Sequence, residues 1–138
     1  MITNSGVHLS GLRRVGGAAL RILVPVFAAA ALIQVAAAGG AVFGAMSWGM
    51  HASFGGIVEV IALLTFVSVV LARPSRDLVA AIAVAFAATL LQPISYLLSQ
   101  QLTGFGVLHA LDALVIFGAI VWALRTLFVS PQLVSPAR

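Results

Sequence analysis

The chain lacks cysteine and lysine, and it has few charges of either sign. Its 138 residues contain no Cys, and all seven basic residues are arginine. Without cysteine the chain has no disulfide bond, thiolate metal site or covalent c-type heme attachment. Charged residues make up only 7% of the sequence, against roughly 25% in an average soluble domain. This scarcity argues against a water-soluble protein.

Apolar residues are correspondingly abundant. They account for 62% of the chain, and the mean hydropathy is +1.19. A soluble core of this size cannot enclose so much apolar surface, so the lipid bilayer is the expected partner. The sequence pI near 11.6 does not indicate nucleic-acid binding, because the few arginines lie at helix ends and form no basic patch interleaved with aromatics.

Four continuous apolar runs predict four transmembrane helices. The runs cover about residues 22–46, 50–72, 78–99 and 105–129. Each is close to the ~20 residues that cross a ~30 Å hydrocarbon core, where the backbone must satisfy its own hydrogen bonds. The links are short, so neighbouring helices run antiparallel. The predicted fold is an all-α integral membrane protein, an up-down four-helix bundle.

The arginines predict the orientation of this bundle. They lie before helix 1, between helices 2 and 3, and at the end of helix 4 or beyond, whereas the other two links carry no charge. The positive-inside rule therefore places both termini in the cytoplasm. We expect a cytoplasmic tail over residues 1–17, the bundle over 18–130 and a second cytoplasmic tail over 131–138. The composition suggests a bacterium, and hence the inner (plasma) membrane.

Four ionisable residues fall inside the predicted spans, where charge is expensive and usually functional. They are His51, Glu59, His109 and Asp112. The two histidines occupy similar positions near the starts of helices 2 and 4, which run parallel, so they lie at equal depth near the non-cytoplasmic surface. Two imidazoles that face each other across a bundle are what bis-histidine heme iron needs, so we expect this pair to bind heme, whereas a single membrane histidine is more often an interfacial hydrogen-bonded residue.

Glycines near the histidines fit a flat macrocycle. Gly55 follows His51 by four residues on the same helical face, and Gly40 lies on helix 1 at a similar depth. A porphyrin needs helix surfaces without side chains. The competing explanation is that the helix 1 glycines are small residues at which helices pack closely.

The two carboxyl groups have competing interpretations. Glu59 and Asp112 point toward the bundle interior and form a candidate proton path, or Asp112 orients a ligand histidine. The alternative is a protonated carboxyl that hydrogen-bonds across helices to Gln34 or Gln92.

Three short segments carry a resemblance. They are Gln34-Val-Ala-Ala-Ala-Gly-Gly, His51-Ala-Ser-Phe-Gly and Leu108-His109-Ala-Leu-Asp-Ala-Leu. They resemble segments of small uncharacterised bacterial four-helix membrane proteins, and their layout is similar to one half of heme A synthase and to four-helix b-type cytochromes. By that resemblance His51 and His109 take the places of the heme-ligating pair, and Glu59 lies too deep to match the catalytic glutamate.

The leading hypothesis is a b-type cytochrome with one heme b between helices 2 and 4. It would transfer electrons between a membrane quinone and an outer-face partner, with quinone- or superoxide-linked oxidoreductase activity as the enzymatic form. The second hypothesis is a small proton-coupled transporter that uses Glu59 and dimerises. The third is an accessory subunit of a larger membrane complex, which is compatible with bound heme.

Overall fold

The protein is a bundle of four α-helices in the computed structural model, which describes residues 5–102 and 104–129 and the side chains from Ser10 onward. The helices are α1 (Ser5–Val42), α2 (Trp48–Ala72), α3 (Arg76–Ser99) and α4 (Gly104–Phe128). All four are long and apolar enough to cross a membrane, which confirms the predicted all-α, four-span architecture. The described residues contain no strand.

The short links are shaped by helix caps. Ser47 accepts a hydrogen bond from the backbone N–H of Met50 and so caps the start of α2, and Ser75 caps α3 in the same way through Leu78. Such caps satisfy backbone donors that the first turn leaves free. At the end of α1, Gly44 adopts a left-handed conformation with φ +74°, which glycine tolerates without strain.

Helix α1 begins much earlier than the apolar run indicates. The predicted first span covers residues 22–46, whereas α1 is helical from Ser5, so residues 5–17 continue the helix instead of forming a separate tail. Gly16 packs on the backbone of Ala72 at the end of α2. Helix α1 therefore extends beyond α2 by about 16 Å at 1.5 Å per residue. The predicted second tail, residues 131–138, lies outside the described residues.

The helices form a square in which each contacts its two neighbours. The closest packing joins α1 to α2 and α3 to α4, and the two hairpins meet more loosely through α2 with α3 and α1 with α4. The core is rich in alanine, including Ala62, Ala81 and Ala85, each with no exposed surface. Small residues let helices approach closely where lipid supplies no hydrophobic driving force. Many large apolar side chains face outward, as a bilayer requires.

The two hairpins repeat each other. An offset of 58 residues separates Gln34 from Gln92 and also His51 from His109. The same offset relates pairs of buried apolar core positions: Leu20 and Leu78, Val24 and Ile82, Ala30 and Ala88, Val58 and Ile116, and Ala62 and Ile120. Both hairpins run in the same direction, so they constitute a parallel repeat with an axis along the bundle.

The arginine distribution yields a prediction about orientation that the absence of cysteine makes easy to test. Arg73, Arg76 and Arg125 lie at the same end of the bundle as the start of α1. We expect Asp77→Cys to react with a membrane-impermeant maleimide only after cells are opened, and Ala45→Cys to react in intact cells. The unaltered chain supplies the blank, and the opposite labelling pattern would invert the orientation.

Candidate functional site

The first half of the site joins α1 to α2. The side-chain amide of Gln34 donates a hydrogen bond from Nε2 to the backbone oxygen of His51 at 3.0 Å, and the same nitrogen lies 3.5 Å from Nε2 of the His51 ring. A carbonyl only accepts, so the Gln34 amide nitrogen must face His51. The His51 ring nitrogen beside that N–H is consequently an acceptor.

The second half of the site repeats this arrangement between α3 and α4. Gln92 donates from Nε2 to the backbone oxygen of His109 at 3.1 Å and to Oδ2 of Asp112 at 3.0 Å. Each glutamine therefore spans its own hairpin and holds the helical turn that carries a histidine. The two halves differ at one point, because Phe54 occupies the position in α2 that corresponds to Asp112.

The His109 ring is held in one tautomer. Its Nδ1 lies 3.1 Å from the backbone oxygen of Gln92 and 3.2 Å from Oγ of Ser95. Ser95 is buried and donates its own hydrogen to the same Gln92 oxygen. A backbone oxygen accepts only, so Nδ1 of neutral His109 carries the proton. The other ring nitrogen, Nε2, then has a free lone pair.

The two histidine rings meet across the bundle. Their centroids are 6.4 Å apart with an interplanar angle of 72°, although α2 and α4 stand at opposite corners of the square. Trp48 contacts the far side of His51 edge-on, with centroids 5.8 Å apart. The structure thus brings the two predicted ligand residues together, and their binding of a cofactor stays a prediction.

Two polar atoms at the site have no partner. Gln34 Oε1 and His51 Nδ1 are buried without a hydrogen bond within the part of the chain that the structure describes. Gln34 Oε1 is an acceptor, and His51 Nδ1 carries a proton when His51 Nε2 accepts from Gln34. Burying a polar atom without a hydrogen bond costs free energy. A ligand or water that hydrogen-bonds to these two atoms would therefore lower that cost.

The glycines predicted to face a porphyrin lie against the chain's own side chains. A methyl group added at Gly55 would stand 3.1 Å from Nε2 of Gln34, and one added at Gly40 would stand 2.9 Å from Sδ of Met46. Gly55 therefore makes room for the glutamine that holds His51. A contact between either glycine and a macrocycle stays a prediction.

The carboxyl groups are placed differently from each other. Asp112 belongs to the site because its Oδ2 accepts a hydrogen bond from Gln92, and the protonated form of the carboxyl stays a prediction. Glu59 is half-buried on α2, about 12 Å along the helix from His51 at 1.5 Å per residue, and no hydrogen bond links it to the described site residues. In the described ranges no three His, Asp or Glu side chains come together to hold a metal.

The residue pattern does not predict that Gln34 and Gln92 hold the backbone of the two histidines, nor that Ser95 contacts His109. It indicates the two glutamines only as hydrogen-bond partners of a carboxyl group. A signal is nevertheless present, because each glutamine precedes its histidine by 17 residues. In two antiparallel helices joined by a short link, equal offsets place both pairs at the same depth.

Substitutions of the two glutamines are expected to change the free energy of unfolding by different amounts. Methionine has a similar length and no hydrogen-bond donor. We expect Gln92→Met to lower the free energy of unfolding by about 1–2 kcal/mol, because it leaves Asp112 without a donor. Gln34→Met should cost at most about 0.6 kcal/mol, since it also removes the unpartnered Oε1. Unfolding in mixed micelles measures both, and equal costs would contradict the asymmetry.

Comparisons with known proteins give one partial match. A family model described as "Family of unknown function (DUF6220)" matches residues 34–96, which include Gln34, His51 and Gln92 and end before α4. No curated protein matches the chain, and no solved structure matches it. None of these comparisons relates the chain to heme A synthase or a cytochrome, so that likeness stays a prediction. The chain is thus similar, over α2, most of α3 and the end of α1, to a family whose function is undetermined.

Proposed function

We propose that the protein is a membrane cytochrome that binds one heme b between α2 and α4, with His51 and His109 as the axial ligands. The observation that carries this proposal is the hydrogen bonding of His109. The proton on Nδ1 points to the Gln92 backbone oxygen, which leaves the Nε2 lone pair for a metal. Ligand histidines are commonly held in this way through their other ring nitrogen.

The separation of the rings supports the same proposal. Metal–imidazole bonds of about 2 Å on opposite sides of one ion put the two ring centres about 6 Å apart. The observed centroid distance is 6.4 Å. His51 and His109 would hold the iron of a heme, whose porphyrin supplies its other nitrogen ligands. This donor set would suit heme without a third protein ligand. To bind the iron, His51 would exchange its 3.5 Å contact with Gln34 Nε2 for the metal, because that contact engages the only lone pair of the neutral ring.

The polar side chains around the two histidines would position the ligands or transfer a proton. Gln34 and Gln92 hold the backbone at the two ligands, and Ser95 helps to fix the His109 ring. Bound heme supplies one-electron redox chemistry. A heme held by two histidines would favour electron transfer over oxygen chemistry. Asp112 is joined to the ligand turn through Gln92 and is the nearest carboxyl group for moving a proton.

We also propose a membrane location and an orientation for the bundle. The bundle belongs in a bacterial inner membrane with both termini in the cytoplasm, so the histidines lie near the outer surface. Electrons would pass between a membrane quinone and an outer-face partner, which is another membrane subunit or a second copy of the chain. The uncharged links at that end agree with the positive-inside rule.

A visible absorption spectrum tests the proposal. The protein is expressed with added heme precursor and purified in detergent. It should show a Soret band and, after dithionite reduction, the sharp α and β absorption bands of a reduced cytochrome. His8→Ala is the matched control, because it removes the third histidine, about 39 Å along α1 from Gln34. Protein that stays colourless when heme is supplied would overturn the proposal.

A further inference from the structure

A groove between α3 and α4 opens on the surface of the bundle close to the candidate site. Its volume is about 330 Å³, within the range of roughly 300–1,000 Å³ for small-molecule sites. Leucine, isoleucine, valine and phenylalanine side chains of both helices line it, among them Leu91, Phe105 and Val115. The only polar side chains in the lining are those of Ser95 and Asp112.

The depth of the groove restricts its occupant. Asp112 lies eight residues into α4, about 12 Å from the helix start at 1.5 Å per residue. The groove extends from Leu98 and Phe105, near the ends of the two helices, to Asp112 and Val115. At the depth of Asp112 a membrane-spanning helix is surrounded by hydrocarbon, so an occupant that reaches the carboxyl lies largely in lipid. An occupant must dissolve in lipid and must also carry a polar group for the carboxyl.

The Asp112 carboxyl is only partly engaged. Gln92 donates to Oδ2, and Oδ1 makes no hydrogen bond within the described ranges. Ser95 already donates to the Gln92 backbone oxygen. Asp112 therefore lines an otherwise apolar groove and keeps one carboxyl oxygen that can accept a hydrogen bond from a hydroxyl group. A phospholipid acyl chain fits the groove but leaves this oxygen without a partner.

We infer that the groove between α3 and α4 is a binding site for a lipid-soluble quinol, whose ring hydroxyl donates to Asp112. The ring of a quinol is neutral and largely apolar, as the groove lining is, and its isoprenoid tail would extend through the open side into lipid. Asp112 lies one helical turn from His109, so the ring would stand beside the candidate heme ligand. Use of the quinol in electron transfer rests on the proposed function, whereas binding does not require heme.

Photolabelling locates the occupant. An azido-ubiquinone probe, reduced to the quinol and irradiated with the protein in nanodiscs, should label peptides of residues 91–98 and 105–115. Excess decylubiquinol should displace it. Asp112→Leu should reduce labelling by about three- to tenfold, the value of one hydrogen bond. Glu59→Gln is the matched control, since it removes a membrane carboxyl that does not line the groove, and it should leave labelling unchanged.

A second variant separates loss of the site from loss of the fold. Val115→Trp fills the groove from its edge and keeps Asp112 with Gln92, so it should abolish labelling while the helical circular dichroism stays unchanged. Labelling spread over all four helices, or labelling that decylubiquinol does not displace, would overturn the inference. Both measurements are made on heme-free and heme-loaded protein. Groove labelling in a chain that binds no heme refutes only the cytochrome, and a Soret band without groove labelling refutes only the quinol site.

Discussion

Replacing either His51 or His109 by alanine is expected to remove the heme absorbance of the purified protein. Loss of an outer-shell partner of a metal ligand typically costs about 10- to 100-fold in affinity, and loss of the ligand itself should cost at least as much. The ratio of Soret to protein absorbance should therefore fall by at least about tenfold in each variant. The Gln92 and Ser95 contacts preorganise His109, so its loss should be the more severe.

Added imidazole distinguishes a lost ligand from a lost fold. In His109→Ala, free imidazole can occupy the space of the ring and should restore part of the Soret band. His8→Ala should keep the full spectrum. A His51 or His109 variant that retains a complete and unshifted heme spectrum would contradict the assignment of that residue.

Replacing Gly16 by alanine is expected to destabilise the α1–α2 hairpin. A Cβ atom at this position would stand 2.7 Å from the backbone nitrogen of Ala72 and 2.9 Å from the backbone oxygen of Ser68. Both atoms belong to the backbone of α2, so the helices must move apart. Overpacking of this kind costs about 1–3 kcal/mol in the free energy of unfolding.

The neighbouring glycine provides a control of opposite sign. Nothing lies within 4 Å of a Cβ atom at Gly17, and alanine is favoured over glycine within a helix by about 0.8–1.0 kcal/mol. Gly17→Ala should therefore stabilise the protein. Titration with SDS, followed by circular dichroism, measures both changes. Equal effects of the two substitutions would show that close packing at Gly16 does not limit the hairpin.

Hydropathy and chain length are sufficient to predict the four helices, because lipid permits few alternatives for continuous apolar runs. The start of α1 is harder to predict from the sequence. Residues 5–21 carry polar groups and glycines, which reduce the apolar signal, yet nothing among them breaks a helix. Gly16 within this segment packs on the end of α2, and such a contact between distant residues leaves no mark in local hydropathy.

The histidine pair is predictable from depth, whereas its hydrogen-bonding partners are not. Equal positions in parallel helices indicate that His51 and His109 meet. The direction of a glutamine side chain depends on the rotation of each helix, which a run of alanines scarcely constrains. The 58-residue repeat is also faint, because most equivalent core positions carry different apolar residues and the glutamines and histidines are among the few identities.

The repeat has a consequence for assembly. One histidine belongs to each hairpin, and the hairpins pack more closely within themselves than against each other. The two histidines therefore face each other only when the two hairpins are packed together. A group bound by both histidines would then link the two hairpins, which contact each other less closely than the helices within each hairpin do. Its binding energy would add directly to the stability of the assembled bundle, so assembly and loading would be one event.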